Sequence, residues 1–291
     1  MKNNWFVTVV LVPALALLTL FVVIPIIGSF VISAFDYNPL RESNIFLGLE
    51  NYKRLFNDEI FIRAFKNTLV FVFVTVTINI ILTLLLAQFI TSIKRRTLRN
   101  ISLVAIFLPV VAPMANSAVV WTRSLFPPRG GVFGIVMTWL GRTPINWIGN
   151  PAMILPSIII FSVWADIGYN TVLFTAGIEG IPKDFYEVAD IDGVGPINRF
   201  FKITLPLLGR TFSFVAAMTM ISHFQMFTQF MILARDGRPA GAGWALTTYI
   251  YYAGFTVKNM GYASTISVAL FLLILVFTLI QQRLNRVDWG Y

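Results

Sequence analysis

The 291 residues carry a formal net charge of +9, contain no cysteine, and are 57% hydrophobic with only 12% charged. Together with a mean hydropathy of +0.77, that balance excludes a soluble globular surface and describes an integral membrane protein. Without cysteine there are no disulfides, thiolate metal sites or cysteine nucleophiles, and the basic residues lie in short loops where they meet anionic lipid headgroups rather than nucleic acid.

Six apolar runs are expected to cross the membrane, over about 5–35, 67–93, 100–122, 152–178, 211–234 and 259–282. Rising ~1.5 Å per residue as helices, each is long enough to cover about 30 Å of hydrocarbon. The first holds no charge from Asn3 to Phe35, too long for a signal-peptide core, and carries Pro13 and Pro25 as points of kinking. The polar stretch 36–66 includes GLENYKRLF at 48–56, whose aromatic and basic residues at helical spacing predict an interfacial helix. The second run is interrupted by Asn79 and Gln88 and is followed at once by Lys94, Arg95, Arg96 and Arg99. Pro109 and Pro113 sit inside the third. Residues 124–147 alternate turn formers with an apolar helix too short to cross, which belongs on the outer face. Trp5, Trp121 and Trp289 fit interfacial aromatic belts, and Phe212, Phe214, Phe224, Phe227 and Phe230 read as lipid or packing contacts. No internal repeat or linker divides the chain, so 1–291 reads as one transmembrane domain.

The charge-dense stretch EVADIDGVGPINRFFKITLPLL, residues 187–208, separates the fourth and fifth runs. Pro182 suits a first helical position, and Asp184 and Glu187 follow where a helix N-terminus favours negative charge. Gly193, Gly195 and Pro196 then break the helix, and Arg199, Phe200, Ile203 and Leu207 resume helical spacing. Glu187, Ala189, Asp192 and Gly193, with Ile203, Leu205 and Pro206 beyond a nine-residue gap, stand in a fixed register. That register resembles the signature loop of the inner-membrane permease subunits of ABC importers, with Val188 in place of a customary alanine. GLENYKRLF, GYAS at 261–264 and Gly-Arg-Pro at 237–239, where Gly-Gly-Pro is usual, extend the resemblance to sugar-importer permeases over nearly the whole chain.

The resemblance implies an all-α, six-helix type I ABC-importer permease fold in a bacterial or archaeal cytoplasmic (inner) membrane. It places a cytoplasmic coupling helix in loop 179–208, seated in a groove of a separate ATPase with Glu187 reaching a basic group there. The partners it implies are a second homologous permease, two ABC ATPase subunits that carry ATP and Mg, and an extracytoplasmic solute-binding protein. The chain has no G-x-x-x-x-G-K-[ST] and a single histidine, so neither cofactor nor metal is expected on it. Cytoplasmic termini rest mainly on the resemblance. The two sets of loops divide the 22 lysines and arginines evenly, and only their density near helix ends favours that orientation.

An intramembrane carboxylate costs roughly 2.5–3.5 kcal/mol on insertion scales, so Asp166 in the fourth run needs compensation. It lies in WADIGYN, where Trp164, Asp166, Tyr169 and Asn170 offer an aromatic face, acceptors and donors suited to a carbohydrate. Hydration near a helix end, or pairing with Arg123 or Arg142, accounts for Asp166 equally well. His223 and Gln225 read as pore-lining groups or interhelical hydrogen-bond partners. The resemblance implies a sugar or oligosaccharide as solute. A glycerol phosphate is the main competitor, and the charge of Asp166 argues against an anion. An ion-coupled secondary transporter would use Asp166 but requires inverted repeats that are missing, and an intramembrane enzyme finds no catalytic constellation.

Overall fold

A computed structural model describes residues 4–41 and 44–284. Lys2, Arg286 and Trp289, used above for charge and aromatic belts, lie outside the described residues. Among the described residues the regular elements are helices apart from an antiparallel pair, β1 (Phe35–Asp36) and β2 (Ile45–Phe46), which sets Phe35 opposite Phe46. The helices are α1 (Val9–Ile32), α2 (Glu50–Asn57), α3 (Glu59–Ser92), α4 (Arg96–Val111), α5 (Met114–Leu125), α6 (Val132–Trp139), α7 (Ile154–Glu179), α8 (Asp184–Ile191), α9 (Pro196–Leu207), α10 (Gly209–Phe224), α11 (Thr228–Leu233), α12 (Leu246–Tyr251) and α13 (Met260–Leu284). Among the described residues, α1, α3, α7 and α13 are each long and apolar enough to cross a membrane. Two further candidates are bent pairs, α4 with α5 at 91° and α9 with the segment Gly209–Leu233 at 73°.

The departures from simple apolar runs have local causes. α3 starts at Glu59 rather than 67 because Asp58 caps it, its Oδ1 accepting the N–H groups of Ile60 (2.8 Å) and Phe61 (3.2 Å). Charges at Glu59, Arg63 and Lys66 end an apolar run without ending a helix. The third run is two helices, because Pro113 disfavours the helical region for Ala112, which sits at φ −71°, ψ 133°. Pro25 does not break α1. The turn before it widens instead, with the Ile24 N–H reaching back to the Thr19 carbonyl. The fifth run stops at Gln225, whose N–H closes a tight last turn on Ser222, and helix resumes at Thr228. α8 begins at Asp184, two residues past the expected Pro182.

Two compact units are formed, one from residues up to 62 together with 246–272, the other from 63–245 together with the residues from 273 on. In the first, the Asn51 side chain of α2 donates to the carbonyls of Ser33 (2.9 Å) and Phe35 (3.0 Å), fastening the end of α1. Gly261 at the start of α13 lies so close to the Phe35 carbonyl that no Cβ fits, and its N–H bonds the Tyr37 carbonyl. Asp58 Oδ2 accepts the hydroxyls of Tyr249 on α12 and Tyr262 on α13, both at 2.5 Å, while the Arg54 guanidinium lies 4.2 Å from the Tyr262 ring centroid. Partial burial works to raise the Asp58 carboxyl, but hydrogen bonds from Tyr249, Tyr262, Phe61 and Ile60 outweigh it and hold the group below the usual carboxylate range. Burial, and then the bond to Asp58, hold the Tyr249 phenol above its ordinary value.

In the second unit α4 lies along α7, and Gly168 permits the approach, since a Cβ there would sit 2.4 Å from the Ile106 carbonyl oxygen. Trp121 does not face outward from the unit. It is 7% exposed and packs among Phe126, Phe133, Phe161 and Trp164, because α5 turns it inward after the bend at Pro113. Nearer the charge-dense loop, Leu84, Ala87, Phe174, Ile178, Ile181, Leu208 and Val215 form a core joining α3, α7 and α10.

Two outcomes follow. Gly168→Ala gains up to about 1 kcal/mol of helix propensity but overpacks the α4–α7 contact by roughly 1–3 kcal/mol, so unfolding in detergent shifts to lower temperature. Because the folded carboxyl of Asp58 titrates below its ordinary value of 3.8, its stabilisation is present above that pH and is lost as pH falls through the folded value. Tryptophan fluorescence against pH should therefore show a shallower acid transition for Asp58→Asn than for the native chain.

Candidate functional site

The first candidate is the elbow made by α8, the turn at 192–195 and α9. α8 ends where its acidic last turn meets Gly193 at φ +65°, a left-handed conformation that costs any residue with a Cβ roughly 1–2 kcal/mol. The Val194 N–H reaches the Ala189 carbonyl at 2.9 Å and the Gly193 N–H reaches that of Asp190 at 3.2 Å, closing the helix end. Arg199 on α9 pairs with the Asp190 carboxylate and donates to the Val194 carbonyl, so the two arms are tied across the turn. The Tyr186 hydroxyl meets Thr204 Oγ1 at 3.1 Å. Tyr186, Phe200, Leu205 and Leu207 pack against the core of α3, α7 and α10, so the elbow is a rigid extension of those helices. Within α9 the turn widens at Phe200–Thr204, the Leu205 N–H reaching the Phe200 carbonyl directly before Pro206.

The outer face of the elbow is both acidic and apolar. Glu187 and Asp192 are exposed, as are Phe185, Val188 and Ile197, and Ile191 is 86% exposed. A groove of about 620 Å³ runs along it, lined by Pro182, Phe185, Val188, Ala189, Asp192 and Ile203 among others. Of the seven residues in the recognised register, Ala189, Asp192 and Ile203 line the groove and Gly193 sets the turn. Leu205 packs on the core, while Glu187 and Pro206 face outward.

The second candidate is a polar seam between α3, α7 and α10. Asn170 donates to Asn79 Oδ1 at 2.6 Å and to Thr219 Oγ1 at 2.9 Å, all three residues being buried. The Thr219 carbonyl lies 2.8 Å from His223 Nδ1, and His223 Nε2 lies 3.5 Å from Asp166 Oδ2. The residue beside Asp166 is thus His223, rather than an arginine. Of the sequence-derived set, Asp166, Asn170 and His223 come together in this seam, and Trp164 stacks near Trp121 at 5.1 Å between ring centroids. Tyr169 and Gln225 are exposed on the surface of the unit. Sequence reasoning noted Asn79 only as an interruption and missed Thr219, although a lone amide in an apolar run already requires a partner.

Comparison with known proteins places this geometry. A family model described as "Binding-protein-dependent transport system inner membrane component" matches residues 79–287, which hold the elbow and the seam. The chain belongs to that family. It is accordingly a transporter permease, with the ATPase activity in separate subunits. It is 32% identical to the arabinooligosaccharides transport system permease protein AraP of Bacillus subtilis, over 91% of this chain and 83% of the relative. It is 31% identical to the sn-glycerol-3-phosphate transport system permease protein UgpA of Yersinia pestis, over 96% of this chain and 94% of the relative. Its fold is that of a chain in the crystal structure of a bacterial alginate ABC transporter in complex with alginate pentasaccharide-bound periplasmic protein. The match has a TM-score of 0.87 at 22% identity and covers 98% of this chain and 95% of that one.

The seam's contribution is measurable. Interhelical hydrogen bonds in bilayers average ~0.6 kcal/mol, and stranding buried acceptors adds to the loss, so Asn170→Leu should destabilise the protein by roughly 1–3 kcal/mol. Unfolding in mixed micelles should show the loss, with a larger one for Asn170→Asp, whose ionised carboxylate has no hydrogen to donate to Asn79 Oδ1 and would bury a charge.

Proposed function

We propose that this chain is one of two homologous permeases that together form the path for a sugar or oligosaccharide across the cytoplasmic membrane of a bacterium or archaeon. In this reading it acts as a single permease domain over 1–291 with both termini cytoplasmic. Two ABC ATPase subunits hold ATP and Mg, and an extracytoplasmic binding protein delivers the solute. The observation that carries the coupling role is the elbow. Its exposed apolar and acidic face suits a partner's groove, and its inner face is packed on α3, α7 and α10. A rigid element in that position passes a displacement at the ATPase to the helices as a rigid-body movement. Glu187, Ala189, Asp192, Gly193 and Ile203 serve the docking face and its turn, Leu205 anchors the second arm on the core, and Pro206 follows its widened turn.

The solute class draws support from AraP and from the alginate importer, and from the side chains of the seam region. Trp164, Asp166, Tyr169, Asn170, His223 and Gln225 remain the proposed pathway set, in two tiers. Tyr169 and Gln225 present exposed polar edges to solute, while Asn170 and His223 hold the helices that carry them. The similarity to UgpA keeps a glycerol phosphate as the second reading.

The test is solute-stimulated ATP hydrolysis by the assembled transporter in proteoliposomes, across oligosaccharides and glycerol 3-phosphate with loaded binding protein. Glu187→Ala and Gly193→Val should retain assembly and lose most of the stimulation, and the stimulating solute names the class. Full stimulation in both variants would remove the elbow from coupling, and uptake driven by an ion gradient without ATP would replace the reading with a secondary transporter.

A further inference from the structure

His223 is the chain's one histidine, and its side chain is almost fully enclosed near the end of α10. Phe71 of α3 stacks on the imidazole, with ring centroids 5.8 Å apart. Nδ1 lies 2.8 Å from the Thr219 carbonyl oxygen, and a carbonyl only accepts, so Nδ1 carries a hydrogen. Nε2 faces Asp166 Oδ2 at 3.5 Å, and neither atom has a hydrogen-bond partner. A neutral imidazole protonated at Nδ1 offers only a lone pair at Nε2, and an ionised carboxylate offers only lone pairs. Two acceptor atoms facing each other with no hydrogen between them repel, and neither has another donor to bond.

We propose that Asp166 and His223 hold one proton between Oδ2 and Nε2 and form a proton-binding site inside this unit. The proton rests on the carboxyl and is donated to imidazole, or rests on Nε2 and is donated to carboxylate. Both arrangements bear no net charge. When the proton leaves to water the pair carries a charge of −1 and the contact between α7 and α10 becomes repulsive. Among the described residues, Asp166 and His223 form no ion pair with any group but each other. α3 brings Phe71, with Glu59, Arg63 and Lys66 more than a turn earlier. Arg210 lies at the opposite end of α10, α11 has no titratable residue, and Arg99 at the start of α4 pairs with Glu179 at 2.8 Å.

A single histidine makes the site directly observable. The full-length chain in lipid nanodiscs, with its histidine labelled in the heavy nitrogen isotope, gives one pair of ring-nitrogen signals. Nδ1 should read as N–H at all pH values where the fold persists. Nε2 should read as protonated or hydrogen-bonded and shift as pH is raised, with the Asp166 carboxyl, isolated by infrared difference against Asp166→Asn, changing over the same range. In Asp166→Asn the amide donates to Nε2 without a labile proton, so the tautomer should persist and the shift on raising pH should vanish. A bare Nε2 beside an ionised Asp166 at the same pH would overturn the proposal, as would a folded Asp166→Asn chain that titrates like the native one. If that variant does not fold, the native imidazole titration and its carboxyl band decide the matter. Neither readout depends on transport, so the outcome stands whichever solute is carried.

Discussion

Lipid offers no hydrogen bonds, so a polar side chain on a spanning helix bonds its own backbone, as Thr83 and Thr171 do, or reaches another helix, and the bonds between helices tie α3, α7 and α10 together. The Asn170 amide makes two of these bonds, donating to Asn79 on α3 and to Thr219 on α10. Sliding any of the three helices by a turn, ~5.4 Å, would strand at least one buried polar group. The core of Leu84, Phe174 and Val215 joins the same three helices, and the elbow packs on that core.

Prolines determine where the backbone departs from a straight helix, and they do so in two ways. Pro25 and Pro206 each follow a widened turn, closed by the Ile24 N–H on Thr19 in one case and the Leu205 N–H on Phe200 in the other. The wider turn makes room for a ring that would otherwise collide with the carbonyl one turn earlier, so the helix continues. Pro113 acts on the residue before it, driving Ala112 into extended backbone, and the chain turns through 91°. In α9 the first mode has a use. It lets the second arm of the elbow carry Ile203 to the groove and Leu205 to the core without breaking.

The elbow was legible because its constraints are local. A glycine needed at positive φ, an acidic first turn and a proline near the second arm all leave a trace in adjacent residues. GLENYKRLF and GYAS were legible as separate words, and their meaning is tertiary. Asn51 fastens α1, Gly261 admits the Phe35 carbonyl, and Tyr262 lies under Arg54 and bonds Asp58, all within one unit. Hydropathy could not show that α3 extends eight residues before its apolar run, because a window of apolar residues cannot register a cap at Asp58, and it joined α4 to α5 because a bend leaves hydropathy unchanged. The inward packing of Trp121 left no trace in hydropathy either, since which way an indole faces depends on the helices around it. Partners in the seam were out of reach, as no spacing rule connects Asn79 to a side chain 91 positions away.

The proton between Asp166 and His223 bears on what the chain can carry. An isolated carboxylate in the pathway would disfavour an anionic solute, which was the sequence ground for setting a glycerol phosphate below a sugar. A pair that shares one proton has no net charge, so that ground disappears without any change in the residues present. In the proposed pathway set the exposed members are Tyr169 and Gln225, which offer a phenol and an amide and no positive charge. Those groups match the hydroxyls of a carbohydrate one for one, whereas a phosphate dianion requires cations to replace its water. The preference for a sugar thus survives on different evidence, resting on what the exposed side chains can donate and accept instead of on the charge of Asp166.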